Sequence, residues 1–179
     1  MMGILCDTAI RNAVESGDIV ISPFDEKQLN PNSYDIRLGD NLYCYQNQVL
    51  DAAESNEIER ISMFPSKVLH PGMLYLAESI EKVGSQKYVP WLDGKSSIGR
   101  LGIQIHLTAG KGDVGFCDVW TLEISVVQPV RVYPGMRIGQ FTFFNIVGEP
   151  GQMYQGRYGQ TGKAEPSKLY LGENYRNNG

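Results

Sequence analysis

The chain has 179 residues, of which 42% are hydrophobic and 20% charged, and its formal net charge at pH 7 is −4. This size and composition suit one globular domain with a substantial core. The acidic balance argues against a dedicated DNA- or RNA-binding protein, which would usually be basic, and is compatible with a nucleotide site that has only a local cationic patch. The 20 glycines, 9 prolines and 10 tyrosines favour β-strands joined by many turns.

The sequence carries no signal for metal-binding cysteines, secretion or membrane insertion. Cys6, Cys44 and Cys117 are far apart and form no CxxC pair, which argues against a zinc ribbon or a dithiol redox site. The N-terminus lacks a charged-then-apolar pattern, and no run of about 18 apolar residues occurs. We therefore expect a cytoplasmic protein with reduced thiols and no membrane partner.

The N-terminal third predicts one short helix followed by strands. Ile10, Ala13 and Val14 have helical spacing, with Asp7 as a candidate cap and Gly17 as a stop signal. Strands are predicted over residues 18–22, over 42–45, and over 34–38 up to Gly39, where apolar and polar side chains alternate. Residues 51–60, which are rich in acidic side chains, are expected to form an exposed loop.

The remainder of the first 147 residues predicts further strands separated by glycine turns. Strands are expected over 73–77, 88–92, 103–107, 120–126 and 136–147, with one helical turn at 97–101. In the strand at 120–126, Trp120 and Leu122 belong to an apolar face and Glu123 to the opposite, polar face. About eight or more short strands favour a barrel or jelly roll.

The composition changes at Gly148. The tail has seven glycines and several tyrosines, among them Tyr154, Tyr158 and Tyr170, with few aliphatic residues. It is too aromatic for a plain linker, so we expect an arm that becomes ordered on a ligand or a neighbouring subunit. The predicted organisation is one β-barrel domain with an N-terminal helix over 1–147 and a flexible lid or arm of the same domain over 148–179.

Residues 94–102, which we call the cradle segment, contain two serines, two cationic residues and three glycines in the order Gly-Lys-Ser-Ser-Ile-Gly-Arg-Leu-Gly. Short side chains let backbone N–H groups approach an anion, and the cations neutralise it, so the pattern is typical of a phosphate cradle. The order differs from that of a Walker A loop. A plain surface turn is the alternative.

The predicted position of Glu123 makes it a candidate for proton transfer. A glutamate on the polar face of a strand is normally just exposed to solvent. If neighbouring strands pair, however, Glu123 lies beside the turn at residues 109–113 and the cradle segment. A carboxylate near a phosphate site can transfer protons between water and a substrate.

The order of motifs along the chain resembles that of the dCTP deaminases, which belong to the trimeric dUTPase superfamily. The resemblance rests on residues 4–7, 31–39, 94–102, 106–110, 113–116, 121–123 and 137–140. It implies a distorted jelly-roll β-barrel of the dUTPase-like type that assembles as a homotrimer, with active sites between subunits and deoxycytidine or deoxyuridine triphosphate as substrate.

The resemblance also assigns roles to residues. It implies that Glu123 is the acid/base of deamination, and that Ser96 and Arg100, with the carbonyl of Ala109, position the attacking water. Asp113 would lie beside the deoxyribose and, in relatives that cleave the triphosphate, aid water attack on the α-phosphate. Residues 156–162 resemble the glycine-rich lid of dUTPases, whose aromatic residue stacks on the base. The implied substrate-binding residues are Lys95, Ser97, Gly110, Gln140, Arg157, Tyr158 and Gln160.

The resemblance implies chemistry without zinc. Zinc-dependent nucleobase deaminases carry an H-x-E…P-C-x-x-C signature, which this chain lacks, and its only histidines are His70 and His106. We expect no metal at the base, and Mg²⁺ bound only through the nucleotide triphosphate.

Gly110 makes a bifunctional enzyme the first hypothesis, since glycine there resembles the branch of the family that converts dCTP to dUMP, diphosphate and ammonia. A deaminase that releases dUTP, a dUTPase and a non-catalytic nucleotide-binding regulator are the alternatives.

Overall fold

The computed structural model describes residues 3–172; the end of the predicted arm, residues 173–179, lies outside the described residues. The two α-helices of this part are α1 (Asp7–Glu15) and α2 (Ser96–Gly99), and short 3₁₀ helices lie at Glu26–Gln28 and Leu169–Leu171. The strands are β1 (Ile19–Ser22), β2 (Leu29–Asn30), β3 (Ser33–Tyr45), β4 (Ile58–Ser62), β5 (Lys67–Leu69), β6 (Tyr75–Ser85), β7 (Tyr88–Gly94), β8 (Ile103–Gln104), β9 (Cys117–Val126), β10 (Val130–Val132) and β11 (Arg137–Asn145).

The main sheet is nearly closed into a barrel. Its strands follow the order β7-β11-β3-β6-β9-β8, with β1, β2 and β4 paired alongside, and β5 pairs with β10 separately. Residues 105–113 connect the two ends of this order: Glu123 N donates to Ile105 O at 2.9 Å, and Leu92 N donates to Gly110 O at 2.7 Å. The mainly β, barrel-like architecture predicted from the sequence is confirmed.

Strand β9 has the alternation that the sequence predicts. Trp120, Leu122, Ile124 and Val126 are buried, whereas the residues between them are only partly buried. The Trp120 ring contacts Phe141 edge-on at 4.7 Å between centroids, and its Nε1 donates to the Val83 carbonyl at 3.0 Å. These contacts fix the inner face of β9, so Glu123 is directed away from the core.

Strand β3 passes through Gly39, where the sequence predicts a stop. A Cβ at Gly39 would lie 2.9 Å from the backbone oxygen of Glu78, so glycine permits close approach of β6 instead of ending the strand. The pairing of β3 with β6 shifts register between Leu38 and Leu42, as expected for an irregularity at this point.

Four other expectations need correction. Residues 58–62 form β4, paired with β3, because the charged side chains that suggested a loop lie on a mostly exposed edge strand. Strand β8 ends at Gln104, since Leu107 N bonds the Glu123 side chain instead of the β9 backbone. Strand β6 begins at Tyr75 rather than at residue 73. Asp7 is the first helical residue, and Cys6 occupies the cap position without a side-chain cap.

The arm lies on the barrel where it is described. Ala164 is only 2% exposed, and its N–H donates to Glu78 Oε2 at 3.2 Å. Ser167 N donates to the Tyr45 hydroxyl at 3.0 Å. Among the described residues, no helix has the length and apolar character needed to cross a membrane.

The buried Tyr34 side chain makes the stability of the fold depend on pH in the alkaline range. Its side chain is fully buried, its hydroxyl accepts from Asp25 N at 2.8 Å, and burial raises its pKa from 10.0 to about 12. Because the folded pKa is raised, the neutral hydroxyl favours folding below pH 10.0, and this contribution is lost as the pH rises through about 12. We expect the native protein to lose about 2 kcal/mol more stability over that range than Tyr34→Phe. Urea unfolding of both proteins across the range measures the difference, and equal losses would contradict the assignment.

Candidate active site

Glu123 lies in a cleft of about 600 Å³ formed by β9, residues 107–109 and the arm. Leu107 N donates to Glu123 Oε2 at 3.0 Å, and this bond orients the carboxylate. Within the described residues, no donor contacts Oε1, so that oxygen is available to a ligand. Leu76 and Phe116 contribute apolar lining to the same cleft. A half-buried carboxylate with one fixed and one available oxygen can accept and return a proton.

Two other predicted site residues meet Glu123 in this cleft. Ala109 reaches it from the loop after β8, and Tyr158 reaches it from the arm. Tyr158 is 42% exposed as a residue, and its hydroxyl accepts from Lys168 N at 3.0 Å. The ring is therefore held at its distal end, which is compatible with the stacking role predicted for it.

The cradle segment lies beyond this cleft. Ser96 and Ser97 open α2, the predicted helical turn, and Arg100 follows it; all three are exposed. In the part of the chain that the structure describes, none of their side chains makes a hydrogen bond or ion pair, and none of the three lines the Glu123 cleft. The separation follows from β8, which begins just after the cradle segment and pairs Ile103 with Val126 at the end of β9.

Lys95 and Gln140 are engaged within the barrel. The Lys95 ammonium pairs with Asp35, which is 1% exposed. Gln140 Oε1 accepts from Ser33 Oγ at 2.9 Å, while its Nε2 donates to the Gly94 carbonyl at 3.1 Å. Both side chains thus attach the start of the cradle segment to β3 and β11. Their contact with substrate stays a prediction.

The remaining predicted residues line two other clefts. Asp113 borders a cleft of about 690 Å³ together with Lys111, whose Nζ lies 3.9 Å from Asp113 Oδ1. Arg157 and Gln160 border a cleft of about 460 Å³ along the arm. Arg157 Nη1 also lies 3.4 Å from the Lys168 carbonyl. Within a single chain, the predicted site residues therefore lie on several separate surfaces.

Gly110 and Gly112 have a steric role that sequence reasoning missed. A Cβ at Gly110 would lie 2.5 Å from the Leu92 carbonyl oxygen, and one at Gly112 would lie 2.4 Å from the Trp120 ring. The loop therefore packs directly against β7 and the core, and a side chain at either position would displace it. This close approach holds Ala109 beside Glu123.

The described residues show no preformed metal centre. Among residues 3–172, no three His, Cys, Asp or Glu side chains are grouped so that they could hold a metal ion. His106 Nε2 lies 3.9 Å from Asp93 Oδ1, and its buried Nδ1 has no hydrogen-bond partner in this part of the chain. The predictions about zinc and Mg²⁺ therefore stay predictions.

Comparison with known proteins identifies relatives over nearly the whole chain. The chain is 46% identical over 169 residues to a dUMP-forming dCTP deaminase of Hathewaya histolytica, covering 93% of this chain and 97% of that protein. It is also 46% identical over 169 residues to a dUMP-forming dCTP deaminase of Cytophaga hutchinsonii, covering 93% of this chain and 96% of that protein.

A solved structure supports the fold. The 2′-deoxycytidine 5′-triphosphate deaminase of Agrobacterium tumefaciens superposes with a TM-score of 0.64 at 25% identity, over 80% of this chain and 48% of that one. The chain therefore spans about half the length of that protein. The dCTP deaminase-like family profile matches residues 4–146. Together with the relatives above, this match shows that the chain belongs to the dCTP deaminase-like family.

Proposed function

We propose that the protein deaminates dCTP at C4 of cytosine and cleaves the triphosphate, so that dUMP, ammonia and diphosphate are the products. The observation that carries the proposal is the Glu123 carboxylate, oriented by Leu107 N and open at Oε1 in a cleft shared with Ala109 and Tyr158. The relatives that are 46% identical and named dUMP-forming dCTP deaminases support the choice of products.

Glu123 serves as base and then as acid in the proposed deamination. It takes a proton from the water that attacks C4 and passes it to N3 as the hydroxide adds, which gives a tetrahedral centre at C4. It then takes the proton of the added hydroxyl and gives it to the amine, so that the C4–N bond breaks, ammonia leaves and the uracil ring remains with a C4 carbonyl and a protonated N3. Ser96, Arg100 and the Ala109 carbonyl position the water.

The proposed active site needs two subunits. Ser96 and Arg100 are exposed, make no side-chain hydrogen bond or ion pair within residues 3–172 and lie outside the cleft of their own Glu123. A second copy of the chain can bring its cradle segment to that cleft. We therefore propose a homotrimer in which the cradle segment of one subunit completes the Glu123 cleft of another.

The triphosphate enters as its Mg²⁺ complex, with the metal held by phosphate oxygens. Lys95, Ser97 and Arg100 supply the cations and hydroxyl that a triphosphate requires. Asp113 orients a second water toward the α-phosphate, whose bond to the diphosphate leaving group breaks. Gln140, Arg157 and Gln160 are proposed to complete the nucleotide contacts, and the cytoplasm, where deoxynucleotides are made, is the proposed location.

Incubation with Mg²⁺ and dCTP, followed by chromatographic separation of nucleotides and an ammonia assay, tests the proposal. Release of dUMP with ammonia supports it. Accumulation of dUTP without diphosphate would instead identify a deaminase that lacks the second activity. Turnover of dUTP but not dCTP would identify a dUTPase, and turnover of neither would leave a nucleotide-binding regulator.

A further inference from the structure

Asp118, which no predicted role includes, is a buried carboxylate that binds the arm. Its residue is 4% exposed at the start of β9. Its Oδ2 accepts from two consecutive arm amides, Thr161 N at 3.0 Å and Gly162 N at 3.3 Å, while its Oδ1 accepts from Val119 N at 2.9 Å. Within the described residues, no Lys, Arg or His forms an ion pair with it, and its hydrogen bonds all come from backbone amides.

Further hydrogen bonds hold the neighbouring arm residues. Next to the amides held by Asp118, Glu165 N donates to Thr121 Oγ1 on β9 at 3.1 Å. The two ends of this arm loop are joined because the Tyr158 hydroxyl accepts from Lys168 N at 3.0 Å. Residues 158–168 are therefore bonded to Asp118 near the middle of the loop and to each other at its two ends. These bonds restrict the conformations of the loop and place Tyr158 in the Glu123 cleft.

We propose that Asp118 is a positioning residue that docks the arm so that Tyr158 lies over the substrate-binding cleft. A buried carboxylate that loses two charge-assisted hydrogen bonds must be solvated again, so the docked arm is strongly favoured over a released one. Asp118 therefore acts on substrate affinity through the arm and touches no reacting atom. The effect on substrate affinity rests on the proposed function, whereas the docking of the arm by Asp118 does not.

Substitution of Asp118 tests the proposal. Asp118→Ala removes both acceptors, and we expect the KM for dCTP to rise about tenfold while kcat changes less than about twofold. Asp118→Asn keeps one acceptor oxygen and should give an intermediate KM. The control Asp18→Asn changes a partly exposed carboxylate whose ion pair is with Lys87, and it should leave both constants unchanged.

Hydrogen exchange separates the docking role from the proposed reaction. Without nucleotide, exchange at Thr161 and Gly162 should accelerate at least about tenfold in Asp118→Ala but not in Asp18→Asn. Unchanged exchange would overturn the proposal. Because exchange needs no turnover, a wild-type protein that fails to convert dCTP refutes the proposed function, while the exchange result still decides the role of Asp118.

A double-mutant cycle tests whether the effect passes through Tyr158. In a Tyr158→Ala background, Asp118→Ala should raise KM by less than about twofold, because the group that it positions is already absent. Fully additive effects on KM would overturn the proposal, as would equal losses of kcat and stability with KM unchanged.

Discussion

Glu123→Gln is expected to lower the rate of ammonia release from dCTP by about a thousandfold, whereas affinity for the nucleotide is largely kept. The amide keeps the length and shape of the side chain, and its oxygen can still accept from Leu107 N as the carboxylate does at 3.0 Å. It cannot take a proton from water near neutral pH. Ammonia release measures the catalytic loss, and isothermal titration with dCTP measures binding.

Glu15→Gln is the matched control, because Glu15 is an exposed carboxylate at the end of α1, far along the chain from the cleft residues. It should retain full activity. Deamination near the wild-type rate in Glu123→Gln would remove Glu123 from its role as acid and base. Loss of binding together with turnover would indicate that the carboxylate supports the cleft rather than the reaction.

Arg100→Ala is expected to lower deamination at least about a hundredfold, because the cation proposed to position the attacking water is lost. More informative is a mixture of this variant with Glu123→Gln. If each site takes Glu123 from one subunit and Arg100 from another, random trimers formed from equal amounts should regain about a quarter of wild-type activity. Co-refolding the two inactive variants and measuring ammonia release tests this expectation.

Arg11→Ala, which removes a partly exposed cation paired with Glu26, is the control for the loss of a charge. It should remain active alone, and adding it to Glu123→Gln should restore nothing beyond its own contribution. If Arg100→Ala and Glu123→Gln stay inactive when co-refolded into trimers, both residues act within one subunit. The separation of Ser96 and Arg100 from the Glu123 cleft would then require a rearrangement within the chain.

The sequence could predict those structural features that depend on local patterns of apolar and polar residues. The apolar residues of β9 alternate with polar ones, and the structure buries the first set, so the direction of Glu123 followed from periodicity alone. Gly39 and residues 58–62 were misassigned because local signals do not reveal tertiary pairing. A glycine where strands approach looks like a turn, and a charged edge strand looks like a loop.

The predicted site is only partly assembled in one chain. Ala109 and Tyr158 join Glu123 because the loop glycines and the arm contacts bring them there, and the family motifs had singled out all three. Asp35 lies within the predicted strand 34–38 and Asp118 just before the predicted strand 120–126, and no role was predicted for either. Their burial depends on partners far along the chain, namely Lys95 for Asp35 and the Thr161 amide for Asp118. No local spacing encodes such contacts.

The most direct test of the account is the stoichiometry of wild-type turnover. Phosphorus NMR of Mg²⁺–dCTP, recorded continuously beside an ammonia assay, follows every product of the reaction. We predict that dUMP, diphosphate and ammonia appear in equal amounts from the start, with no accumulation of dUTP. Ammonia released with a matching rise in dUTP, or dCTP left unchanged, would contradict it.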